Sequence, residues 1–312
     1  MKRLLTLLLL TSLTSLPCAA QSAAAWVVAD NASGAVLGSQ AGDAKRQVAS
    51  LTKIATATVV FDWSDLSKTG LTERAQIPPE AVVQGAVNPL GLQPGDEMSL
   101  RDLLYAALLQ SDNVAAYTLA HHVGARLLPT VPRKLQKLGP VGVFVAQLNA
   151  LARQLGMNHT LFLNPHGLDG ADFGMPYSTA TDIARLARHS MNRPAFRFIV
   201  SQPARKVMIQ RAGQEFGFEL QNTNKLLGKS DIDGVKTGRT TRAGDCLVIS
   251  AARPPESRQV GDQVFITPRR LTVVVLGATD RFQAADGLLT HGWQLFDQWV
   301  AAGRPVDPKK TL

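Results

Sequence analysis

Val48-Ala49-Ser50-Leu51-Thr52-Lys53-Ile54-Ala55-Thr56-Ala57-Thr58-Val59-Val60-Phe61 reads as a helix that is apolar on nearly every side, with a serine and a lysine three residues apart at its start. A helix without a polar face belongs in the centre of a domain. Residues i and i+3 share a helix face with Cβ atoms about 5–6 Å apart, so the Lys53 amine is within reach of the Ser50 hydroxyl. Burial disfavours an ammonium and lowers its pKa, which would let Lys53 accept the serine proton. Ser50 at the helix start would also place a forming oxyanion near free backbone N–H groups and the positive end of the dipole. Alone the pair says little. Ser-x-x-Lys arises by chance about once in a chain of this composition and length, and a capped helix with an exposed lysine gives the same pattern.

Two further elements change the balance. Ser111-Asp112-Asn113 follows Leu108-Leu109-Gln110 and opens an Ala-rich stretch; Lys236-Thr237-Gly238 follows the turn Asp233-Gly234 and leads into a strand. They come in the order Ser50, Ser111, Lys236, separated by 61 and 125 residues. Ser-x-x-Lys, Ser-x-Asn and Lys-Thr-Gly in that order form the motif set of penicillin-binding proteins and serine β-lactamases.

Around these motifs the elements run strand, helix, strand. Ala25–Asp30 and Ala35–Gly38 read as a hairpin turning at Asn31-Ala32-Ser33-Gly34. Residues 99–124 read as one helical region capped by Ser99 with Asp102 three residues on. Arg126–Gly142, with Pro129, Pro132 and Pro140, reads as an irregular basic insertion, after which helical periodicity resumes at Phe144. Thr179 and Asp182 announce another helix; Cys246–Ser250 and Leu271–Leu276 are short apolar strands, and a last helix covers Asp286–Val300. The order predicts an α/β (α+β) fold: a mainly antiparallel sheet flanked by helices, with an all-helical region inserted between its two halves.

The chain resembles the low-molecular-mass penicillin-binding proteins, the D-alanyl-D-alanine carboxypeptidase and endopeptidase family with a β-lactamase/transpeptidase-like fold. The likeness extends beyond the three motifs to Val48–Lys53, Leu103-Leu104-Tyr105, Asn164-Pro165-His166-Gly167-Leu168-Asp169, Asn222–Leu227, Gly234–Gly238 and Ala243–Val248, spanning residues 25 to 300. It implies Ser50 as nucleophile, Lys53 as general base, Ser111 as proton relay to the leaving amine and Asn113 as a holder of the substrate backbone. It further implies that Lys236 supplies positive charge, that Thr237 meets the substrate carboxylate, that Gly238 belongs to the same substrate-binding strand, and that the N–H groups of Ser50 and Arg239 form the oxyanion hole. Peptidoglycan peptides are the implied substrates and β-lactams the implied covalent inhibitors, with no cofactor. Arg239, Arg242 and Arg281 are candidates for the carboxylate, although solvated surface is the expected place for them.

Composition narrows the classes. Lys2-Arg3, the Leu-rich run to Leu16, Pro17 and Cys18-Ala19-Ala20 read as a secretory signal over residues 1–20, too short and hydroxyl-rich to span a membrane. The mature chain, 21–312, is expected to be a single catalytic domain in the periplasm without a membrane anchor, since it ends soon after the closing helix. Cys246 would be its only thiol, which leaves no internal disulfide and no thiolate metal site. His121-His122 are neighbours that diverge on a helix, and no His-Glu-x-x-His occurs, so no metal is expected. The net charge of +9 suits an anionic envelope, and dispersed Lys and Arg without interleaved aromatics argue against nucleic acid. His166–Asp169 hints at a Ser-His-Asp triad, but no Gly-x-Ser-x-Gly elbow exists, so it is expected to be a structural loop. Two rivals stay open: a class A-like β-lactamase and a non-catalytic wall-binding module. The first needs a deacylating glutamate, and between Ser111 and Lys236 only Glu215 and Glu219 occur.

Overall fold

The chain folds back on itself at Gly34, which adopts a left-handed φ of +81° that residues with a Cβ rarely take. Asp30 closes this turn by accepting hydrogen bonds from Ser33 N and Ser33 Oγ at 2.7 and 2.6 Å. The hairpin so made is β1 (Ala23–Asp30) and β2 (Val36–Gln40), as the sequence predicts. The structure, a computed structural model, describes residues 22–82 and 87–312; the predicted signal at 1–20 lies outside them.

A 3-10 turn at Ala49–Leu51 leads into α1 (Thr52–Ser67), which is buried on every side along most of its length. There follow β3 (Arg74–Gln76), β4 (Glu97–Ser99), α2 (Leu100–Leu109), α3 (Asn113–Leu127), α4 (Arg133–Gln136), α5 (Gly139–Gln154), α6 (Ala180–Met191) and α7 (Pro194–Val200). The chain then returns to strands, β5 (Ala204–Arg211), β6 (Gln214–Gln221), β7 (Ile232–Thr240), β8 (Gly244–Val260) and β9 (Gln263–Ala278), and closes with α8 (Arg281–Ala301). The main sheet is antiparallel in the order β2-β1-β9-β8-β7, so its first and last strands in sequence lie side by side at its centre.

Both faces of this sheet are covered, which is why its strands are apolar at successive positions rather than alternating. Trp26, Val28, Leu247, Ile249, Val273 and Val275 face α8 through Leu288, Leu289, Trp293 and Phe296. Val27, Ala29, Val248, Val274 and Leu276 face the helical half, where α1 and α6 contribute Ile54, Ile183 and Leu186. The predicted insertion between the sheet halves is present, but it also carries a small second sheet in the order β3-β4-β5-β6.

Three expectations are corrected. Residues 99–124 are two helices: Ser99 caps α2 by accepting from Asp102 N at 3.0 Å, but the chain breaks at Gln110–Asp112, where Ser111 has φ of +64° and Asp112 caps α3. Arg126–Gly142 is not irregular throughout, since it completes α3, forms α4 and begins α5 at Gly139, with the prolines at helix starts where their missing N–H costs nothing. The strands through Cys246 and Leu271 are far longer than the apolar runs. Beyond Ala251 and Leu271 they leave the sheet as a two-stranded ribbon paired out to Val260↔Gln263. No described helix is long and apolar enough to cross a membrane.

Candidate active site

The site is assembled where the start of α1, the α2–α3 break, the Asn164–Asp169 loop and β7 meet. Ser50 stands in the 3-10 turn with Lys53 in the first turn of α1. Lys53 is wholly buried, and its Nζ lies 2.9 Å from Ser50 Oγ, 2.7 Å from Asn113 Oδ1 and 2.9 Å from the His166 carbonyl oxygen. Burial lowers the Lys53 pKa to about 7, partly opposed by the negative charge of Asp112. A neutral amine has two hydrogens and one lone pair. The carbonyl of His166 and the amide oxygen of Asn113 can only accept, so they take the two hydrogens, and the lone pair is left for the Ser50 O–H. The neighbours of the lysine thus select the orientation a base requires.

The loop that supplies the His166 carbonyl is fixed from several sides. Thr56 Oγ1 donates to the Pro165 carbonyl at 2.6 Å, and Asn164 Oδ1 accepts from Gly167 N at 2.7 Å. Gly167 (φ +85°) passes so close to the serine turn that an added Cβ would fall 1.9 Å from the Ala49 carbonyl oxygen. At the far end of the loop, Asp169 accepts from Thr240 Oγ1 at 2.6 Å, tying the loop to the end of β7. The His166 side chain is buried and held neutral, its pKa lowered to about 3 by burial and then by Lys53. Its Nδ1 accepts from Leu168 N at 3.2 Å, which makes it a structural loop residue as expected, with no triad. That its backbone oxygen would hold the lysine was not legible, because a carbonyl leaves no mark on residue identity.

Strand β7 forms the other wall. Gly238 lets the strand pass against the serine turn: a Cβ there would lie 3.1 Å from both Ser50 N and the Val48 carbonyl oxygen. Thr237 Oγ1 is 2.7 Å from Thr223 Oγ1, which donates to the Leu109 carbonyl at 3.0 Å, so β7 is fastened to the end of α2. Thr223 is a contributor the sequence did not single out. Lys236 is buried, with Nζ donating to the Thr237 carbonyl at 2.9 Å, and its pKa is held well below the usual range by burial, then by Lys53 and Arg281. The Arg239 side chain is 75% exposed, with Nε 3.4 Å from Asp245, so only its backbone faces inward. Arg281 is not solvated surface: its guanidinium is largely buried and donates to the Gly238 carbonyl at 2.8 Å. Its place at the start of α8, immediately after Asp280, gave no sign of that reach. Ser111 occupies the left-handed position between α2 and α3, next to Asn113, and among the described residues its hydroxyl makes no hydrogen bond.

Fold and motif set together are those of the active-site-serine enzymes built on the penicillin-binding-protein fold. A family model described as D-alanyl-D-alanine carboxypeptidase (Peptidase_S11) matches residues 12–260, and the chain belongs to that family. It is 33% identical over 305 residues to D-alanyl-D-alanine carboxypeptidase DacC of Escherichia coli K12, covering 93% of this chain and 65% of the relative. It is also 33% identical over 227 residues to a D-alanyl-D-alanine endopeptidase of Pseudomonas aeruginosa, covering 72% and 65%. The chain therefore spans a little under two thirds of the length of these two relatives. Among solved structures it resembles the Streptomyces K15 DD-transpeptidase, with a TM-score of 0.73 and 28% identity over 88% of this chain and 97% of that one. Penicillin-binding protein D2 of Listeria monocytogenes in its ampicillin-bound form gives a TM-score of 0.68 at 28% identity, covering 87% and 97%.

Proposed function

We propose that the protein is a serine D,D-peptidase that cleaves D-alanyl-D-alanine bonds of peptidoglycan stem peptides through an acyl-enzyme at Ser50. The observation that carries this reading is the buried Lys53 amine, 2.9 Å from the Ser50 hydroxyl and near neutrality in its proton affinity. The serine Oγ attacks the carbonyl carbon of the penultimate residue as its proton passes to Lys53 Nζ. The negative charge that develops on the carbonyl oxygen is received by the N–H groups of Ser50 and Arg239, which flank the point where Gly238 meets the serine turn. Removing one such donor typically costs about 10²–10³ in rate. Ser111 passes a proton to the departing amine, Asn113 holds the substrate backbone as well as Lys53, and Thr237 receives the terminal carboxylate. A carboxylate arriving there adds the anion that would favour the ammonium form of Lys236.

Residues 21–312 act as one catalytic domain, exported to the periplasm by the signal at 1–20. β-Lactams acylate Ser50 and leave slowly. A deacylating carboxylate is what a β-lactamase would need, and Glu215 and Glu219 both stand exposed on β6, opposite Gln210 and Lys206. The D2 protein named above is solved with ampicillin bound, which supports the same expectation here.

The test is labelling with fluorescent penicillin, followed by mass analysis of the adduct and digestion of purified muropeptides. Ser50 should carry the label, Ser50→Ala should carry none, and D-alanine or uncross-linked peptides should be released. The two products separate carboxypeptidase from endopeptidase action, and relatives of this chain carry both names. Rapid sustained hydrolysis of a chromogenic cephalosporin would favour the β-lactamase reading, and an unlabelled wild type the non-catalytic one.

A further inference from the structure

Asp112 is a buried carboxylate that the reaction sketched above does not use. It has no exposed surface, its Oδ1 accepts from Ala115 N at 2.9 Å as the cap of α3, and its Oδ2 receives Leu90 N at 3.5 Å. Among the described residues no cation lies within ion-pair distance of it. A cap needs no charge, since Asn and Ser serve as well as Asp, and burying a carboxylate is costly. Something beyond capping therefore accounts for an acid here. The next residue, Asn113, holds Lys53 Nζ at 2.7 Å, so the cap sits one residue from a group bonded to the lysine, and its charge acts on Lys53.

The titratable and charged groups facing Lys53 come from three sides. They are Asp112 at the α2–α3 break, His166 from the loop, and Lys236 from β7 with Arg281 of α8 behind it. His166 is neutral above about pH 3, and Lys236 and Arg281 can only be neutral or positive. Asp112 alone can be an anion. Burial raises its pKa to about 6, so it is ionised from near-neutral pH upward.

We propose that Asp112 is a positioning residue for acylation, whose buried carboxylate stabilises the ammonium that Lys53 becomes on taking the Ser50 proton. In that step the Oγ–H bond breaks, the proton moves to Lys53 Nζ and the Oγ–carbon bond forms; the carbonyl C–N bond then breaks and the proton passes on to its nitrogen, which departs as the amine of a peptide or stays tethered in an opened lactam. Lys53 is a cation only between the two transfers. A nearby anion favours that interval, and it also raises the proton affinity that makes Lys53 a competent base.

This inference rests on the serine-peptidase reading, and its test separates the two. The second-order rate of Ser50 acylation by fluorescent penicillin would be followed from pH 4.5 to 9.5 for wild type, Asp112→Asn and Asp112→Ser. Both variants retain a capping group, and the second stands in if the first does not fold. The acid limb of the wild type should centre near the Lys53 pKa of about 7. In both variants the limb should move to lower pH by roughly one unit, the scale on which one neighbouring charge shifts a buried group, and the plateau should fall. A plateau that falls while the limb stays in place would reduce Asp112 to a cap, and a limb that moves to higher pH would give the charge the opposite effect; either overturns the proposal. A wild type that is not acylated at all defeats the peptidase reading itself, and this one with it.

Discussion

Replacing Gly167 by alanine probes whether the loop backbone holds Lys53 in place, as the proposed reaction requires. The added methyl would fall 1.9 Å from the Ala49 carbonyl oxygen and 2.8 Å from Thr52 Oγ1, where contacts under 3.0 Å are essentially never tolerated. The serine turn and the loop must therefore separate by at least about an ångström, and displacement on that scale can cost about 10²-fold in rate. The left-handed backbone at φ +85° adds about 1–2 kcal/mol of strain for any residue with a Cβ. Because His166 O lies one residue away and bonds Lys53 Nζ at 2.9 Å, the displacement acts on the base directly. Gly167→Ala should lower the acylation rate by about two orders of magnitude while the protein still folds, with a reduced melting temperature. Stopped-flow labelling with fluorescent penicillin and a thermal melt measure the two effects separately. Wild-type acylation in Gly167→Ala would refute the claim that the loop carbonyl orients Lys53.

Other outcomes follow from the same geometry. Burial weakens the hold of Lys53 on its proton, so the unfolded chain binds more protons between the folded pKa of about 7 and the ordinary value of 10.5, and stability should rise with pH across that window. Relative to Lys53→Met, the wild type should gain on the order of a few kcal/mol from pH 7 to 10 by denaturant titration; a constant difference would mean the lysine is not desolvated as described. Thr56→Val removes the donor to the Pro165 carbonyl and leaves a buried acceptor unpaired, which should cost about 1–3 kcal/mol in a urea melt. Cys246 is fully buried with its thiol pushed up to about 11, so it should resist a thiol reagent in native buffer and react only on unfolding. Fast native labelling would place it elsewhere.

Much of this was legible from residues alone because the informative signals were local. The all-apolar surface of the Ser50–Phe61 stretch announced a buried helix, and Ser99 and Thr179 announced caps that the structure bears out at 3.0 Å each. What failed to show was set by distant neighbours. No glycine or proline marks the break at Gln110–Asp112; the chain turns there because Asp112 N bonds the Ala106 carbonyl and Thr223 claims the Leu109 carbonyl. Arg281 looked like surface because its partner, the Gly238 carbonyl, belongs to a strand 43 residues earlier. The ribbon past Ala251 was missed for the reverse reason: Arg253–Val260 is polar and holds two prolines, so it lacks the apolar run by which a sheet strand is recognised.

The neighbourly placement of β1 and β9 governs when the protein can fold. Those strands are roughly 250 residues apart in sequence, a separation that makes pairing slow and dependent on the whole chain. A ribosome that has released only the first two hundred residues has produced a hairpin and a set of helices with nothing to lean on, and the serine turn has no β7 to meet. Until the final strand arrives to slot between β1 and β8, the chain stays threadable, and Ser50 lacks the wall it needs for the chemistry proposed for it.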